Sequence, residues 1–534
     1  MVRSGVYPVA PGATSECGCA GGVVVAPAPK GPRVGVVIRP GFQGEPEAPR
    51  LVIRPGTPVV PPAGPRSPSG AGLRGAPGQS GAGRLVGPGL GLGSGGRLTP
   101  CAKGAPQPTW SAPTTLATLP SASDFDCCLQ NARWIVRRES DGVVAVVYAR
   151  TGLSGGLVVH LYAPETGTWS TVSLGVGPDL TRLFGADPSS FGQVLSRPAI
   201  ATDGTDFYIA VQRRLNNGAR SIATLRLTWS PASGRGDLDL PSSARWDLVD
   251  ETSRELQCAL PSIVWSASAG TPLLVYSGQE PGASSAEETN VYFREVFGRV
   301  SQLVDAWQTV GGVVRSKDMA SISESDGRVV IAWRAVLQGG AGNQSKGVMA
   351  AVANVRPRGG WSSVSRTTLA GYPKETLEAS DPCALALPDG RSMVGYWRRD
   401  RGTQLPQPRV SSLGSLSMWT MGGAMAPPGL PSGVQYHFFV HLEHDDCRVF
   451  GVWEGRRDTL SNPIQNGAYV SGSSGTPTWA VPTDAGYFEV PGTGEDVRSN
   501  ALFPGFCTGG GALHLVWLET TNLTLRYATG VVPR

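Results

Sequence analysis

The sequence predicts an all-β fold, a seven-bladed β-propeller that is closed by an N-terminal strand and preceded by a long Gly/Pro-rich arm. Three observations predict it: an apolar run that recurs along the chain, a Trp that recurs at a later point of each unit, and an isolated strand-like segment before the first unit. Repetition of a supersecondary unit at a fixed period is typical of propellers and arrays.

One stretch of the chain shows the unit in full. A short apolar run at 319–322 leads to Asp326-Gly327, a dipeptide that tolerates the positive φ of a tight hairpin. A second run covers 329–334, a third covers 347–355, and a fourth opens at Gly360-Trp361. Four short strands in succession predict one antiparallel sheet.

The second run recurs as a hydrophobic strand that mostly ends in an aromatic residue and then a polar one. Its anchor residues are Tyr148, Val211, Tyr276, Trp333, Trp397, Trp453 and Trp517. The anchors lie about 62 residues apart, which predicts seven units.

The fourth strand gives an independent count. It opens near Trp169, Trp246, Trp307, Trp361, Trp419 and Trp479 in the first six units. The seventh unit has three strand-like runs but no fourth. Residues 108–116, before the first unit, have the pattern of a fourth strand that no first, second or third strand precedes. We predict that 108–116 completes the last blade, because a ring closed in this way leaves no unpaired sheet edge at its two ends.

Composition separates the chain into two regions, 1–107 and 108–534. Residues 1–100 contain 10 basic and 3 acidic residues, whereas the remainder contains 36 basic and 38 acidic residues. The first region is rich in Gly and Pro and has almost no aromatic residues, so it cannot bury enough apolar surface to fold alone. We expect a basic arm that is either a disordered linker or ordered only on partners.

Two apolar runs in the arm echo each other, at 36–41 and 51–56. Each could add as a strand to the sheet edge of another subunit, so other subunits of a homo- or hetero-oligomeric assembly are the expected partners of residues 1–107. Nucleic acid is not an expected partner, because the arginines of the arm are isolated and no aromatic residues alternate with them.

The sequence shows neither an export signal nor a membrane span. Residues 1–20 have no continuous apolar core, and no stretch reaches the roughly 18 apolar residues of a spanning helix. We therefore expect a protein that is made in the cytosol and stays there, or leaves by lysis or within a larger particle. The nine cysteines are odd in number and scattered, which favours structural thiols and predicts no cofactor.

A group of His and acidic residues invites a metal-site hypothesis. His437 and His441 share a strand face by the two-residue period, and Glu443, His444 and Asp445 follow them. Alignment with the other units places 443–446 at the first hairpin turn, where a polar sequence is expected anyway. We predict no metal site.

Arginines recur where the second strands end, and these are the predicted ligand-binding residues: Arg150, Arg213, Arg214, Arg334, Arg398, Arg399, Arg456 and Arg457. In a propeller the loops at that end open on one face, and long loops on a rigid scaffold commonly bind ligands. Guanidinium groups that converge there would suit carboxylate or phosphate groups, which predicts an anionic glycan as a ligand. The alternative is that these side chains only solvate the face or pair with nearby carboxylates such as Glu519.

The unit resembles the blade of sialidase-type propellers, whose turn between third and fourth strands carries a Ser-x-Asp-x-Gly-x-Thr-Trp box. Related sequences stand at 163–169 and 471–479. The resemblance implies a propeller over 108–534. It assigns no catalytic residue, because the Arg-Ile-Pro of the family's first strand is replaced by Arg133-Trp134-Ile135-Val136.

These features favour binding over catalysis. A Gly/Pro-rich arm before a large all-β module, without a signal peptide or catalytic box, resembles a tail or capsid-surface protein of a bacteriophage virion. We therefore expect a virion component that recognises host-surface glycan or protein. The alternatives are a glycosidase or lyase that acts on an acidic polysaccharide, and an intracellular scaffold that binds peptides.

Overall fold

The computed structural model describes residues 109–121, 125–126, 133–150, 156–175, 194–214, 220–230, 235–239, 259–279, 289–295, 314–338, 344–355, 365–370, 377–400, 407–413, 419–424, 434–445, 449–457, 465–473, 487–489, 501–519 and 522–531. All secondary-structure elements in these residues are β-strands. No helix in this part of the chain is long and apolar enough to cross a membrane. The predicted arm, 1–107, lies outside the described residues.

The described strands form seven antiparallel sheets, numbered I to VII in chain order. Sheet I contains β3 (Ile135–Arg137), β4 (Val144–Arg150), β5 (Gly156–Ala163) and β6 (Thr168–Gly175). Sheet II contains β7 (Val194–Thr202), β8 (Phe207–Arg214), β9 (Arg220–Ser230) and β10 (Arg235–Asp239). Sheet III contains β11 (Ala259–Ser266), β12 (Thr271–Gln279) and β13 (Thr289–Glu295).

The later sheets repeat this order. Sheet IV contains β14 (Val314–Ser325), β15 (Arg328–Gln338), β16 (Gln344–Asn354) and β17 (Ser365–Ala370). Sheet V contains β18 (Leu377–Ala386), β19 (Ser392–Asp400), β20 (Gln407–Leu413) and β21 (Trp419–Ala424). Sheet VI contains β22 (Val434–His444), β23 (Val449–Arg457), β24 (Gln465–Ser473) and β25 (Tyr487–Glu489). Sheet VII contains β26 (Ala501–Gly509), β27 (Ala512–Glu519) and β28 (Thr524–Val531), together with β1 (Thr109–Trp110) and β2 (Thr114–Thr118).

The second strand of each sheet carries one of the predicted apolar runs. Each of the seven anchor residues lies on such a strand: β4, β8, β12, β15, β19, β23 or β27. In β4, for example, every residue except the final Arg150 is buried. A strand that is covered on both faces reads as a continuous apolar run rather than an alternating one, which is why these segments stand out in the sequence.

The two ends of the sheets differ. At one end, which we call the turn end, each first strand turns tightly into the second. The Asp326-Gly327 turn has the predicted conformation, with φ of 50° and 78°. At the opposite end, the loop end, the second strands stop and the connections to the third strands begin.

Neighbouring turns at the turn end are tied to each other. Arg138 Nη1 of sheet I donates to the carbonyl of Thr205 in sheet II at 2.6 Å. Arg328 Nε of sheet IV donates to Ser392 Oγ of sheet V at 2.8 Å.

The first strands contact one another in sequence. Contacts join β7 to β11, β11 to β14, β14 to β18, β18 to β22, β22 to β26, β26 to β3 and β3 to β7. Side chains of one first strand also satisfy backbone N–H groups on the next. Ser321 Oγ accepts from Ala384 N at 3.1 Å, and Cys383 Sγ accepts from Leu442 N at 3.3 Å. These bonds give partners to N–H groups on the edge strands of sheets V and VI, which have no neighbouring strand on that side.

Sheet VII combines the two ends of the described chain. β1 pairs with β28 through Thr109 and Val531, and β2 pairs with β28 through Thr114 and Tyr527. Between the two short strands, Ser111 N donates to the carbonyl of Thr529 at 2.8 Å. The predicted closing segment, 108–116, therefore lies against the last strand over its described residues.

The strands extend further than the sequence predicts. β15 and β16 remain paired out to Gln338 and Gln344, and β23 and β24 out to Arg457 and Gln465. The polar residues at these strand ends stay in the ladder, because a continuing partner strand supplies hydrogen bonds even to polar residues.

Candidate functional site

The eight predicted arginines all lie on second strands, at or near the loop end. Arg150 ends β4, Arg213 and Arg214 end β8, Arg456 and Arg457 end β23, Arg398 and Arg399 precede the last residue of β19, and Arg334 lies inside β15. The side chains of Arg213, Arg214, Arg456 and Arg457 lie outside the described part of the structure. Of the other four, three lie in the adjacent sheets IV and V.

A cluster of charges lies at the seam between sheets IV and V. Arg399 and Glu378 are directly opposite each other in the ladder between β18 and β19. Arg399 Nη2 donates to Glu378 Oε2, while Lys346 Nζ of β16 lies 3.7 Å from Glu378 Oε1. The Arg399 side chain is 44% exposed and that of Glu378 is 23% exposed. We call Lys346, Glu378 and Arg399 the seam site.

A buried carboxylate lies on the same first strand as Glu378. Asp381 Oδ2 accepts a hydrogen bond of 2.6 Å from Trp397 Nε1, and Oδ1 accepts one of 2.9 Å from Ser380 Oγ. Burial raises the pKa of Asp381, and the nearby positive charge of Arg334 and both hydrogen bonds oppose that rise. Trp397 is therefore a hydrogen-bond donor to this carboxylate as well as a core residue.

Positive charge predominates around the seam. Arg334 and Lys346 both act on the pKa of Asp381, and Arg398 acts on that of Tyr396, which burial raises. The described charged side chains of this region include the cationic Lys346, Arg334, Arg398, Arg399 and Arg409 and the carboxylates Glu378 and Asp381.

Arg150 belongs to a different environment. It lies in sheet I, where burial and the positive charge of Arg150 together lower the pKa of His160 to about 4. Burial also raises the pKa of Tyr148, and Arg150 opposes that rise. Arg150 therefore interacts within its own sheet and does not join the seam site.

Glu519, a predicted carboxylate of this face, is used within sheet VII. Its oxygens accept hydrogen bonds from Asn522 Nδ2 at 3.0 Å, Thr524 Oγ1 at 3.0 Å and Arg526 Nε at 2.7 Å. Arg526 also donates to Thr115 Oγ1 of β2 at 2.6 Å. The network joins β2 to β28, so Glu519 has a structural role.

Sequence reasoning missed a strained position that recurs on the first strands. At a β-bulge, a non-glycine residue adopts positive φ: Arg197 (50°), Leu260 (57°), Met319 (51°), Asp381 (54°) and Phe503 (54°). A conformation of this kind costs on the order of 1 kcal/mol or more and is frequent beside functional sites, as are bulges. Proline follows four of these residues, so the pattern of residue plus Pro in a first strand could have located them.

A second cluster of side chains lies where sheets VII, I and II meet. The Phe125 ring packs against Trp134 at 5.9 Å and against Phe503 at 6.4 Å, between ring centroids. Asp126 pairs with Ala149 through the backbone. Burial raises the pKa of the Asp126 carboxyl to about 6, and the positive charge of Arg197 opposes that rise.

Of the residues predicted at the first hairpin turn, 443–446, the first two belong to the preceding strand instead, and Glu443 forms an ion pair. Glu443 and His444 are the last residues of β22, and Arg133 Nε lies 2.9 Å from Glu443 Oε1. Burial lowers the pKa of His441 to about 4, and Arg133 adds to this shift. Among the described residues, no group of three His, Cys, Asp or Glu side chains could hold a metal ion. The side chain of His437 lies outside the described part.

Known proteins resemble the chain in fold. It shares 15% identity and a TM-score of 0.35 with a thermostable family-43 glycoside hydrolase, covering 59% of this chain and 98% of that one. For Penicillium chrysogenum alpha-L-arabinanase complexed with arabinobiose, the identity is 12% and the TM-score 0.39, over 68% of this chain and 98% of that one. For Trypanosoma rangeli sialidase they are 11% and 0.39, over 78% of this chain and 59% of that one.

The structural similarity is thus to β-propeller glycoside hydrolases and sialidases. No protein-family model matches the sequence, and no curated protein matches it. Similarities of this size do not assign an activity, so the function must be argued from the residues of the chain itself.

Proposed function

We propose that this protein acts by binding and that the seam site holds a carboxylate of an acidic saccharide. The observation that carries the proposal is the position of Glu378, whose carboxylate lies between Lys346 and Arg399 at the loop end. The positive charges of Lys346 and Arg399, which hold the Glu378 carboxylate, could equally hold the carboxylate of a ligand. Arginine suits this task because its planar fork donates two parallel hydrogen bonds.

We further propose that residues 108–534 form a seven-bladed propeller closed by the N-terminal strand. The cycle of contacts among the seven first strands supports this arrangement, as does the pairing of β1 and β2 with β28. In such a ring all loop ends share one face, so the seam site would belong to the main recognition surface.

We propose that residues 1–107 attach the propeller to other subunits of a larger assembly, and that this assembly is a bacteriophage virion. The support is compositional: a basic Gly/Pro-rich arm with two echoed apolar runs. Sedimentation of the full chain and of residues 108–534 tests the attachment. Association of the full chain alone is the expected result, and identical monomers would contradict it.

Calorimetric titration with trigalacturonic acid tests the binding proposal. We expect Arg399→Gln and Lys346→Gln each to weaken binding by roughly tenfold, because each removes a hydrogen bond to a charged group. The matched control is Arg391→Gln at the turn end, where Arg391 Nε pairs with Asp389 at 2.6 Å. Equal affinities for the wild type and both seam variants would contradict the proposal.

One observation favours a glycosidase as a second candidate. The Asp126 carboxyl, with its pKa raised to about 6, has the property of a general acid, and Asp381 is a second carboxylate on a first strand. Release of reducing sugar from acidic polysaccharides, abolished by Asp126→Asn or Asp381→Asn in folded protein, is the result that this candidate predicts.

A further inference from the structure

Three polar side chains of sheet I have buried atoms without a hydrogen-bond partner. The Tyr148 hydroxyl, Arg150 Nε and His160 Nε2 make no hydrogen bond among the described residues. Tyr148 is fully buried and His160 is 5% exposed. Buried polar atoms are hydrogen-bonded in the great majority of cases, so each such exception needs an explanation. We call Tyr148, Arg150 and His160 the sheet I cluster.

The register of sheet I brings these side chains together. Tyr148 and Arg150 lie two residues apart on β4 and therefore on the same face. In the ladder between β4 and β5, Tyr148 is opposite Val158, so His160 is its diagonal neighbour on that face. The Tyr148 and His160 rings are stacked, with centroids 5.7 Å apart. The outer member of the cluster, Arg150, ends β4 at the loop end.

The face of sheet I that carries the cluster packs against sheet VII. On this face, the Tyr162 ring lies 6.1 Å from that of Tyr527 in β28, between centroids. The Phe125 ring lies 5.5 Å from that of Tyr148 and 6.4 Å from that of Phe503 in β26. All of these side chains belong to one hydrophobic core or pack against it. The polar atoms of the cluster therefore meet an apolar layer.

The cluster carries a positive charge without a counter-charge from the described residues. Arg150 forms no ion pair with any carboxylate among them. Glu519 of sheet VII is already held by Arg526 Nε at 2.7 Å. The His160 imidazole is neutral at pH 7, because its pKa is lowered to about 4. A water molecule can satisfy the hydrogen bonds of buried polar atoms, but only an anion also neutralises the guanidinium group.

We propose that the sheet I cluster binds a tetrahedral oxyanion, the phosphate or sulfate group of a free ion or of an ester. Arg150 donates from its guanidinium group and Tyr148 from its hydroxyl. His160 donates from Nε2 when the Thr171 hydroxyl donates to Nδ1, 3.0 Å away. Three donors on three side chains suit an anion with several acceptor oxygens. The site goes beyond the proposed saccharide recognition and uses none of the seam residues.

Calorimetric titration of the full chain with sodium phosphate, at an ionic strength held constant with sodium chloride, tests the site. We expect saturable binding that Tyr148→Phe and Arg150→Gln each weaken by about tenfold or more, because each removes a hydrogen bond to a charged group. Tyr148→Phe keeps the ring, and circular dichroism checks the fold of each variant. The matched control is Tyr208→Phe in sheet II, where the hydroxyl donates to Asp203 Oδ2 at 2.8 Å. This control should bind phosphate as the wild type does.

A second titration, with glucose 6-phosphate, identifies the source of the oxyanion. Binding of inorganic phosphate alone supports the site with a free ion as its ligand, and binding of the ester supports it with an ester group. Absence of binding by both ligands overturns the proposal. Phosphate binding that is unchanged in Tyr148→Phe and Arg150→Gln, or that is lost in Arg399→Gln instead, also overturns it, because the anion then binds elsewhere.

Trigalacturonic acid separates this site from the proposed function. Its affinity for Arg150→Gln should equal its affinity for the wild type, whether or not the seam site binds it as proposed. A loss of affinity in Arg150→Gln would assign Arg150 to saccharide binding and overturn a separate oxyanion site.

Discussion

Trp397 donates a hydrogen bond of 2.6 Å to Asp381 across two strands of sheet V. Trp517 holds the same position on β27 as Trp397 does on β19, but its buried indole N–H has no hydrogen-bond partner among the described residues. Asp381 stands at a strained bulge position with a φ of 54° and is 3% exposed. A buried carboxylate thus lies on the sheet that also carries Glu378 and Arg399.

Replacing Asp381 with Ala should destabilise the protein by about 1 to 3 kcal/mol, because it leaves the buried indole N–H of Trp397 without an acceptor. Urea unfolding at neutral pH measures the change. Asp381→Asn should cost less, since the amide oxygen can still accept. Equal stability of the Ala variant and the wild type would show that the bond contributes nothing.

The raised pKa of Asp126 predicts a pH-dependent stability. The pKa in the folded protein, about 6, lies above the ordinary value of 3.8, so stability falls as pH rises from about 4 to 6. Asp126→Asn should therefore stabilise the protein at pH 7, by about 1 to 2 kcal/mol after allowance for partial exposure.

The same substitution should have little effect near pH 3.5, where the wild-type carboxyl is mostly protonated in both the folded and the unfolded state. Thermal unfolding of the pair from pH 3.5 to pH 8 checks this prediction. A stability difference that is constant across this range would rule out a raised pKa.

Arg133 and Glu443 connect sheets that are not sequence neighbours, and their ion pair is largely shielded, with side-chain exposures of 22% and 11%. Arg133→Ala should cost about 3 to 5 kcal/mol, because it leaves the Glu443 carboxylate buried without its partner. Arg399→Ala breaks an exposed pair and should cost at most about 1 kcal/mol.

Chemical denaturation of both Arg variants gives the comparison. The double variant Arg133→Met with Glu443→Leu should recover most of the loss. If Arg133→Ala and Arg399→Ala both lower the free energy of unfolding by a similarly small amount, the Arg133–Glu443 ion pair does not behave as a buried pair.

The attachment of β1 and β2 to β28 can be tested through Leu119, which is 3% exposed and donates its N–H to the carbonyl of Leu523 at 2.7 Å. Leu119→Ala should destabilise by about 2 to 5 kcal/mol, the usual cost of truncating a buried leucine. Hydrogen exchange should then show faster exchange in β2 and β28. Unchanged exchange in β28 would show that the N-terminal strands do not secure this edge.

The second strands could be predicted from sequence because each is covered on both faces and so consists of a continuous apolar run. Trp333, Trp453 and Trp517 mark these runs clearly. The Asp326-Gly327 turn could be predicted for an equally local reason, since few dipeptides tolerate its geometry.

The site could be predicted only in part. Arg399 was identified by its place at a strand end, but Glu378 and Lys346, which complete the seam site, come from other strands and another sheet. The pairing of Arg133 with Glu443 joins residues far apart in the chain, and no local pattern encodes it. The bulge at Asp381 has a local sequence signal, the following Pro382, but the apolar runs that mark the strands do not reveal it.

The most direct test of carboxylate recognition is the affinity of Glu378→Gln for trigalacturonic acid. The account predicts that removing the internal carboxylate frees Lys346 and Arg399 and tightens binding by roughly five- to twentyfold, with the gain abolished in the double variant Glu378→Gln, Arg399→Gln. Affinity that is unchanged or weaker in Glu378→Gln would contradict the account, because Glu378 would then not occupy the place of the ligand.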